Sequence, residues 1–236
     1  TAEILHAVIR RYRSSDRDPV RRLFVGGIQE HIKPAFTRAM SMPLHITATV
    51  LLAGVGYAWG GGSLLPALLA PAAWVGMVYC CCREFFAGYV RERLQTDMKD
   101  VQKSFLSSPD SCFWVAEARV NGRSEVMGMV AVEAKREAGG ERFGELFRMI
   151  VSPAARRTGL GSRLTQTAID FCKERGFSKV VLHTSSTQEA AVALYRKTGF
   201  AVTDVDIFVY NFRPPGGAVE RFLHRGLQRR LQPPLL

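Results

Sequence analysis

The 236-residue sequence predicts an α/β domain, with a mixed and mostly antiparallel sheet flanked by helices, that is interrupted by an inserted helical hairpin. Segments of alternating apolar residues are interspersed with segments of helical periodicity, which predicts the α/β class. One stretch, residues 39–82, contains no Asp, Glu, Lys or Arg, which predicts the insert. We therefore expect residues 1–38 and 83–212 to form the domain, residues 39–82 the hairpin and residues 213–236 a basic amphipathic tail.

The predicted elements begin with a strand at residues 6–13 and a capped helix at residues 18–33. After the charge-free stretch, residues 83–108 have helical periodicity. Asn121-Gly122 is typical of a tight hairpin turn. The remaining predicted elements are strands at 112–120, 126–134 and 145–152, a helix at 161–175, a strand at 179–183, a helix at 188–198 and a strand at 205–212.

The charge-free stretch has the composition of a membrane hairpin. Its two apolar runs, residues 43–59 and 64–82, are each close to the roughly 20 residues that cross a hydrocarbon core. Basic residues flank both ends and the tip is uncharged, which favours a transmembrane or re-entrant hairpin with the folded domain in the cytosol. The alternative is a pair of buried helices in a soluble core, but such helices normally keep a polar face. Residues 80–82, all cysteine, end the second run, where S-acylation is one outcome and a plain apolar helix end the other.

The formal charge of +11 is compatible with nucleic acid, an anionic membrane surface or an anionic cofactor. No nucleic-acid recognition motif accompanies the charge, so nucleic acid is not expected as a partner. The five cysteines have no metal-ligand spacing, so no metal is expected either. The tail predicts a basic helix on anionic headgroups, with a merely solvated tail as the alternative.

A basic, glycine-containing turn between a strand and a helix is the most informative segment for function. Residues 151–162 read Val-Ser-Pro-Ala-Ala-Arg-Arg-Thr-Gly-Leu-Gly-Ser. Glycines let the backbone approach a ligand, and the free N–H groups at a helix N-terminus bind phosphate. Arg156 and Arg157 add positive charge for a pyrophosphate or a ribose phosphate. No Walker loop is present, and Leu164 replaces the third glycine of a dinucleotide fingerprint, so neither ATP nor NAD is favoured.

Two motifs resemble the signatures of the GNAT superfamily of acetyltransferases. The first is Arg156-x-x-Gly159-x-Gly161, which is similar to the acetyl-CoA signature of that family. The second, at the spacing the family shows, is Gln188-x-x-Ala191-x-x-Leu194-Tyr195-x-x-x-Gly199-Phe200. The resemblance implies a GNAT fold, acetyl-CoA as cosubstrate without a metal, and N-acetyltransferase activity.

The same resemblance implies roles for individual residues. Backbone groups of Met149, Ile150 and Val151 would hold the pantetheine arm and the acetyl carbonyl. Gln188 stands where the family usually has Asn, which puts its cofactor contact in doubt. Tyr195 occupies the position of the general acid that protonates the departing CoA thiolate, with a core aromatic of an amphipathic helix as the alternative. The pyrophosphate would be held by Arg156, Arg157, Thr158, Gly159, Leu160, Gly161 and Ser162.

Direct attack of an amine on a thioester needs a neutral nucleophile, so a base or a chain of waters must take its proton. Glu145 and Glu133 lie on strands near the expected cofactor and are the candidate bases, of which Glu145 is preferred. The alternative for Glu145 is a solvated carboxylate at a strand end. His183 also ends a strand near the site, but a lone histidine there is more often structural.

Several strings are similar to one branch of the superfamily, the camello-like membrane N-acetyltransferases. They are Thr96-Asp-Met-Lys-Asp-Val, Ser111-Cys-Phe-Trp-Val-Ala116 and Glu145-Leu-Phe-Arg148-Met. That family acetylates cysteine S-conjugates and aspartate, and it includes relatives proposed to acetylate protein lysines in the endoplasmic reticulum. The resemblance implies an endoplasmic reticulum membrane protein with a small amine acceptor, preferably a cysteine S-conjugate.

Both small-molecule acceptors of that family carry a carboxylate beside the amine. Arg148, on the strand next to the expected cofactor, could bind this carboxylate bidentately. A catalytically inactive module that binds acetyl-CoA is the rival from another class. The retention of Arg156, Gly159, Gly161 and Tyr195 argues against it.

Overall fold

The computed structural model describes residues 7–137, 139–184, 188–204 and 207–211. The chain divides into two compact units. One comprises residues 1–20 and 101–236, and the other comprises residues 21–100. The predicted hairpin lies inside the second unit, and the predicted tail lies outside the described residues.

The first unit contains a sheet of seven described strands in the order β1-β2-β3-β4-β5-β7-β6. The strands are β1 Val8–Arg11, β2 Cys112–Val120, β3 Arg123–Arg136, β4 Arg142–Val151, β5 Lys179–His183, β6 Ala201–Asp204 and β7 Ile207–Asn211. All neighbouring strands are antiparallel except β4 and β5, which are parallel. The predicted mixed, mostly antiparallel sheet is therefore confirmed.

Helices are numbered in chain order through both units. Those that lie wholly in the described part of this unit are α5 Val101–Phe105, α6 Leu160–Glu174 and α7 Glu189–Lys197. Helix α6 packs on one face of the sheet, where the ring of Phe171 lies 5.1 Å from that of Trp114. Gly128 allows this close packing, because a Cβ at that position would lie 2.8 Å from a methyl group of Leu164. The core is thus formed between α6 and the sheet.

The C-terminal end of the sheet differs from the prediction of one strand at 205–212. The structure has two strands there, and β6 follows directly after Phe200 with a register irregularity between Val202 and Asp204. So short a strand gives too few alternating residues to be recognised in the sequence. Residues 205, 206 and 212 of the predicted strand lie outside the described residues.

The second unit is helical. Its helices are α1 Arg17–Gln29, which begins in the first unit, α2 Ile32–Met40, α3 Pro43–Trp59 and α4 Leu64–Gln95. The predicted break between an apolar helix ending at Cys82 and a second helix beginning at Arg83 was wrong, because α4 runs through this point. Arginine and glutamate are good helix formers, so a change from apolar to charged residues does not end a helix.

Helices α3 and α4 form an antiparallel pair with a close approach near its tip. A Cβ on Gly56 would lie 2.4 Å from the carbonyl oxygen of Pro66, so only glycine fits there. Helix α4 is long and apolar enough to cross a membrane by length and composition. Helix α3 meets that criterion only together with the helical segment Ser14–Met40, from which it is bent by 69°.

A buried ion network fixes the turn between β1 and α1. The guanidinium of Arg10 donates two hydrogen bonds, of 2.7 and 2.8 Å, to the carboxylate of Asp16 and a third to Glu117. The backbone N–H of Arg13 also donates to Asp16, at 2.7 Å. Burial alone would raise the pKa of Asp16, but the hydrogen bonds from Arg10 and Arg13 outweigh it and hold this pKa below its ordinary value.

We expect Asp16→Asn to lower the free energy of unfolding at neutral pH by about 3 kcal/mol, because it breaks a buried ion pair. Since the pKa of Asp16 is lowered in the folded state, its contribution is fully present above the ordinary value of 3.8. That contribution is lost as the pH falls through the lowered pKa, so the difference between variant and wild type should shrink in acid. Denaturant unfolding of the detergent-solubilised protein at neutral and acidic pH measures both effects.

Asp110→Asn is the matched control for this prediction. Asp110 pairs with Arg142, but both side chains are about one-third exposed, so the loss should stay below about 1 kcal/mol. Equal losses in the two variants would contradict the role given to Asp16.

Candidate active site

Strands β4 and β5 pair over only part of their length and then separate. They pair only from Gly144 to Leu146, opposite Val180 to Leu182. Beyond this point β4 continues to Val151, whereas β5 ends at His183. In the described part of the chain, no strand pairs with this side of β4 after Leu146, so an extended ligand with amide groups can pair there.

Strand β4 also carries a β-bulge beside the gap. Met129 of β3 pairs with Ile150 and Ala131 pairs with Phe147, so β4 has one extra residue between these two pairs. Arg148, inside the bulge, has a φ of 53°, a left-handed conformation that costs a residue with a side chain roughly 1–2 kcal/mol. Bulges and strained residues of this kind concentrate at functional sites, where they redirect backbone and side-chain groups.

The turn after β4 presents unpaired amide groups. The N–H groups of residues 157–162 donate no hydrogen bond to any described backbone carbonyl. The first backbone hydrogen bond of α6 runs from the N–H of Arg163 to the carbonyl of Gly159, over 3.1 Å. Arg157 and Gly159 have φ values of 62° and 83°, which turn the chain sharply before the helix. The hydroxyl of Thr158 donates to the carbonyl of Ala155 at 2.8 Å and holds the turn. Such a set of N–H groups at a helix N-terminus fits a phosphate.

The turn at residues 157–162, called here the amide-lined turn, meets β4 and α7 at Gly161. A Cβ added there would lie 3.1 Å from a methyl group of Leu194 on α7. It would also lie 3.8 Å from the side chains of Met149 and Val151 on β4. The structure therefore brings the two motifs and the end of β4 close together.

Tyr195 lies next to this junction and is only 5% exposed. Its ring packs against the rings of Phe200 at 5.7 Å and Phe208 at 6.0 Å. Burial raises the pKa of the Tyr195 hydroxyl above its ordinary value, so the group keeps its proton at neutral pH. It is therefore a protonated hydroxyl embedded in the core.

Gln188 directly precedes α7. Its side-chain oxygen accepts a hydrogen bond of 3.1 Å from the hydroxyl of the buried Thr184, and its carbonyl accepts from the N–H groups of Ala191 and Val192. The amide oxygen of Gln188 is thus engaged by the protein, where it orients the start of α7. Residues 185–187, between these partners, lie outside the described residues.

Glu145 and His183 face each other across the parallel pair of strands. The Oε1 atom of Glu145 lies 3.4 Å from the Nε2 atom of His183. Burial raises the pKa of Glu145, with a smaller opposing effect of Lys135 and a further raising effect of Glu133. Burial lowers the pKa of His183, so its neutral form is favoured.

Glu133, the second base candidate, lies directly opposite Glu145 in the β3–β4 pairing. Like charges opposite each other destabilise a sheet, and Lys135, at 3.0 Å from Glu133, compensates this pair. The proximity of His183 to Glu145 was not predicted. The strand-helix-strand order at 145–183 indicates parallel neighbouring strands, and this is the sequence signal that could have placed the two residues together.

Arg148, the predicted acceptor-binding residue, lies in the bulge of β4, and its guanidinium carbon is 6.0 Å from the ring centroid of Phe147. The ammonium of Lys135 lies 5.8 Å from the same ring. Two cations and an aromatic ring thus lie on the strands that carry Glu133 and Glu145. No group of three or more His, Cys, Asp or Glu side chains that could hold a metal occurs among the described residues.

A surface groove of about 770 Å³ lies apart from these residues, between β1 and α6. Its lining comes from residues 7–9 and from Arg163, Gln166, Thr167 and Asp170. None of the candidate catalytic or cofactor-binding residues borders it. The strand gap, and not this groove, is therefore the candidate active site.

Two parallel strands that separate, a bulge at the gap and an amide-lined turn before a helix define an acyltransferase fold suited to a coenzyme A thioester. The model of the acetyltransferase (GNAT) family matches residues 79–200. A GNAT-family acetyltransferase from Staphylococcus aureus has a similar fold, with a TM-score of 0.54 and 14% identity over 88% of this chain and 100% of the other. GNAT enzymes use acetyl-CoA as the acetyl donor.

Curated relatives narrow the assignment. A probable N-acetyltransferase camello of Xenopus tropicalis is 35% identical over 204 residues, 84% of this chain and 88% of the relative. N-acetyltransferase 8B of Homo sapiens is 34% identical over 202 residues, 85% of this chain and 86% of the relative. The chain belongs to the camello-like N-acetyltransferases of the GNAT family.

We expect Gly159→Ala to weaken the binding of coenzyme A about tenfold. Both Gly159 and Gly176, before and after α6, have positive φ, of 83° and 69°, and a Cβ on either would meet no atom within 4 Å. Alanine at either position should therefore cost a similar roughly 1–2 kcal/mol of stability. Only Gly159 belongs to the amide-lined turn, so only its variant should lose affinity in calorimetric titration. Equal affinity losses in the two variants would contradict the assignment of this turn.

Proposed function

We propose that the protein transfers the acetyl group of acetyl-CoA to the amine of a small amino-acid-type acceptor, in the first place a cysteine S-conjugate, at the endoplasmic reticulum membrane. The observation that carries this proposal is the junction at Gly161, where the end of β4 and the amide-lined turn adjoin α7 at Leu194, the residue before Tyr195. An extended thioester cofactor needs such a gap, and its pyrophosphate needs such a turn.

Acetyl-CoA supplies the activated acetyl group. The backbone of Met149, Ile150 and Val151 would pair with the amides of the pantetheine arm, since β5 does not pair with this part of β4. The N–H groups of residues 157–162 would bind the pyrophosphate. Arg156, whose Nε atom donates to the carbonyl of Val151 at 3.3 Å, would add positive charge beside it.

Glu145 would accept the proton of the acceptor ammonium, directly or through one water. Burial raises the pKa of Glu145 toward neutral pH, which suits a group that must both accept and release a proton. His183, at 3.4 Å, would orient the carboxylate. Tyr195, protonated because it is buried, would return a proton to the CoA thiolate.

The acceptor class rests on Arg148 and the ring beside it. A guanidinium is suited to bidentate binding of the carboxylate of an amino-acid-type acceptor. The aromatic surface of Phe147 would favour an apolar S-substituent over the polar side chain of aspartate. Aspartate and protein lysines are the alternative acceptors, and the former would use Arg148 in the same way.

The membrane location rests on helices α3 and α4. Within the most apolar window of α4 only 6% of the residues are buried, which suits contact with lipid better than a soluble core. Positive residues at both bases of the hairpin favour a cytosolic catalytic domain. A membrane location would also suit acceptors with greasy S-substituents, because they partition toward lipid.

The experiment is an acetyl-transfer assay with detergent-solubilised, full-length protein and a panel of S-benzyl-cysteine, S-benzyl-cysteine methyl ester, aspartate and a lysine peptide. We expect S-benzyl-cysteine to react best and its ester to react worse, because the ester removes the carboxylate. Arg148→Gln should remove the preference for acid over ester, whereas Arg148→Lys should keep part of it.

A preference for aspartate or for the peptide would replace the proposed acceptor and leave the reaction class intact. Binding of acetyl-CoA without turnover of any acceptor would favour an inactive, cofactor-binding membrane module.

A further inference from the structure

Two cysteines lie on α4 where the apolar sequence changes to charged sequence. Residues 64–82 carry no charged side chain, and Arg83 and Glu84 are the first charged residues that follow. Cys80 and Cys81 are exposed, whereas Cys82 is half-buried. Because α4 continues to Gln95, the change falls within a continuous helix.

The face of α4 around Cys80 and Cys81 is apolar and exposed. Met77, one turn before them, is 50% exposed, and Phe85, one turn after Cys81, is 73% exposed. Residues three or four positions apart share a helix face, so these side chains form one outward patch. Val78, between Met77 and Cys80 in sequence, is buried. The two cysteines therefore point away from the buried side of α4.

An exposed apolar face that reaches the first charged residues of a helix is typical of a helix at the surface of a bilayer. We infer that Cys80 and Cys81 are S-acylated with long-chain fatty acids at this surface. The inference rests on the membrane location proposed above and is independent of the acceptor. The acyl chains would enter the lipid beside Met77 and Phe85 and fix this level of α4 at the headgroup layer.

The donor is a long-chain acyl-CoA. The Sγ atom of the cysteine attacks the thioester carbonyl, and a new S–C bond forms as the bond between the acyl carbon and the CoA sulfur breaks. The thiol proton passes to the CoA thiolate, so the products are the acylated cysteine and free CoA. The exchange of one thioester for another needs no oxidant or reductant.

The chain offers matched controls among its other cysteines. Cys82 directly follows the proposed sites but is half-buried, and Cys112 and Cys172 are buried in the sheet unit. Only the two exposed cysteines should be acylated if access from the membrane surface decides modification.

The test uses the protein expressed in a eukaryotic cell line and kept in the membranes of those cells. Free thiols are blocked with N-ethylmaleimide in detergent, thioesters are cleaved with neutral hydroxylamine, and the released thiols are labelled with PEG-maleimide to shift the mass on a gel. We expect two hydroxylamine-dependent mass steps in the wild type. Cys80→Ser and Cys81→Ser should each remove one step, the double variant both, and Cys82→Ser none.

Absence of the shift in the wild type, or its persistence in the double variant, would overturn the inference. Carbonate extraction of the same membranes separates the causes, because a protein that resists extraction without a shift is membrane-bound but not acylated. Extraction by carbonate would overturn the membrane location as well as the acylation. Acetyl transfer by the double variant, expected at the wild-type rate in detergent, reports separately on the proposed reaction.

Discussion

Replacing Glu145 with glutamine is expected to lower kcat/KM by about 10²–10⁴-fold, the usual contribution of a general base. The base must be deprotonated to act, and the pKa of Glu145 is raised by burial above its ordinary value of 4.5. In the wild type, kcat/KM should therefore fall as the pH decreases through this raised pKa. The glutamine variant should lack this limb and keep only the slope due to the amine of the acceptor. Initial rates of acetyl transfer across the pH range measure both quantities.

Two further glutamate variants serve as controls for that result. Glu133→Gln, directly opposite, should change the rate less and lower the pKa of the acidic limb, because it removes a like charge near Glu145. Glu125→Gln, at an exposed position near the start of β3, should change nothing. If Glu133→Gln abolished activity while Glu145→Gln did not, the two roles would be exchanged.

The pair Glu145 and His183 can be tested as a unit. Because the two groups lie 3.4 Å apart, the effects of Glu145→Gln and His183→Gln should not add in a double-mutant cycle. Additive losses would mean that the histidine acts on the reaction independently of the carboxylate.

Sequence reasoning predicted those parts of the fold whose local signals are strong. Asn121 and Gly122 have positive φ values of 51° and 76°, as expected for the tight turn that their identity favours. Gly159 also has a positive φ, of 83°, and only glycine enters such a left-handed turn without a steric cost. In such places the residue type and the backbone conformation determine each other.

Other features depend on tertiary structure and leave no local signal. Arg148 occupies a left-handed conformation that arginine seldom adopts, so the bulge could not be predicted from its identity. The proximity of His183 to Glu145 follows from the pairing of β4 with β5, since 37 positions of sequence separate them. The continuity of α4 past Cys82 was missed because charge marks a membrane surface and does not mark a helix end.

Tyr195→Phe is expected to lower kcat by about 10²–10⁴-fold with little change in KM for acetyl-CoA. The variant removes one hydroxyl and keeps the ring that packs against Phe200 and Phe208, so stability should change little. Since burial raises the pKa of Tyr195 above its ordinary value of 10, the wild type should show no alkaline loss of kcat from this group below about pH 10. Steady-state kinetics at saturating acceptor, with thermal unfolding in parallel, measure these effects.

Tyr210→Phe is the matched control, because Tyr210 belongs to the same aromatic cluster. Its ring lies 5.5 Å from that of Phe200, which also contacts Tyr195. Its kcat should equal that of the wild type. If Tyr195→Phe also kept the wild-type kcat, the proton donation implied by the motif would be absent here, and Tyr195 would serve only as a core aromatic. The thiolate would then have to take its proton from water or from the acceptor nitrogen, and Glu145 would carry the only proton transfer assigned to a side chain.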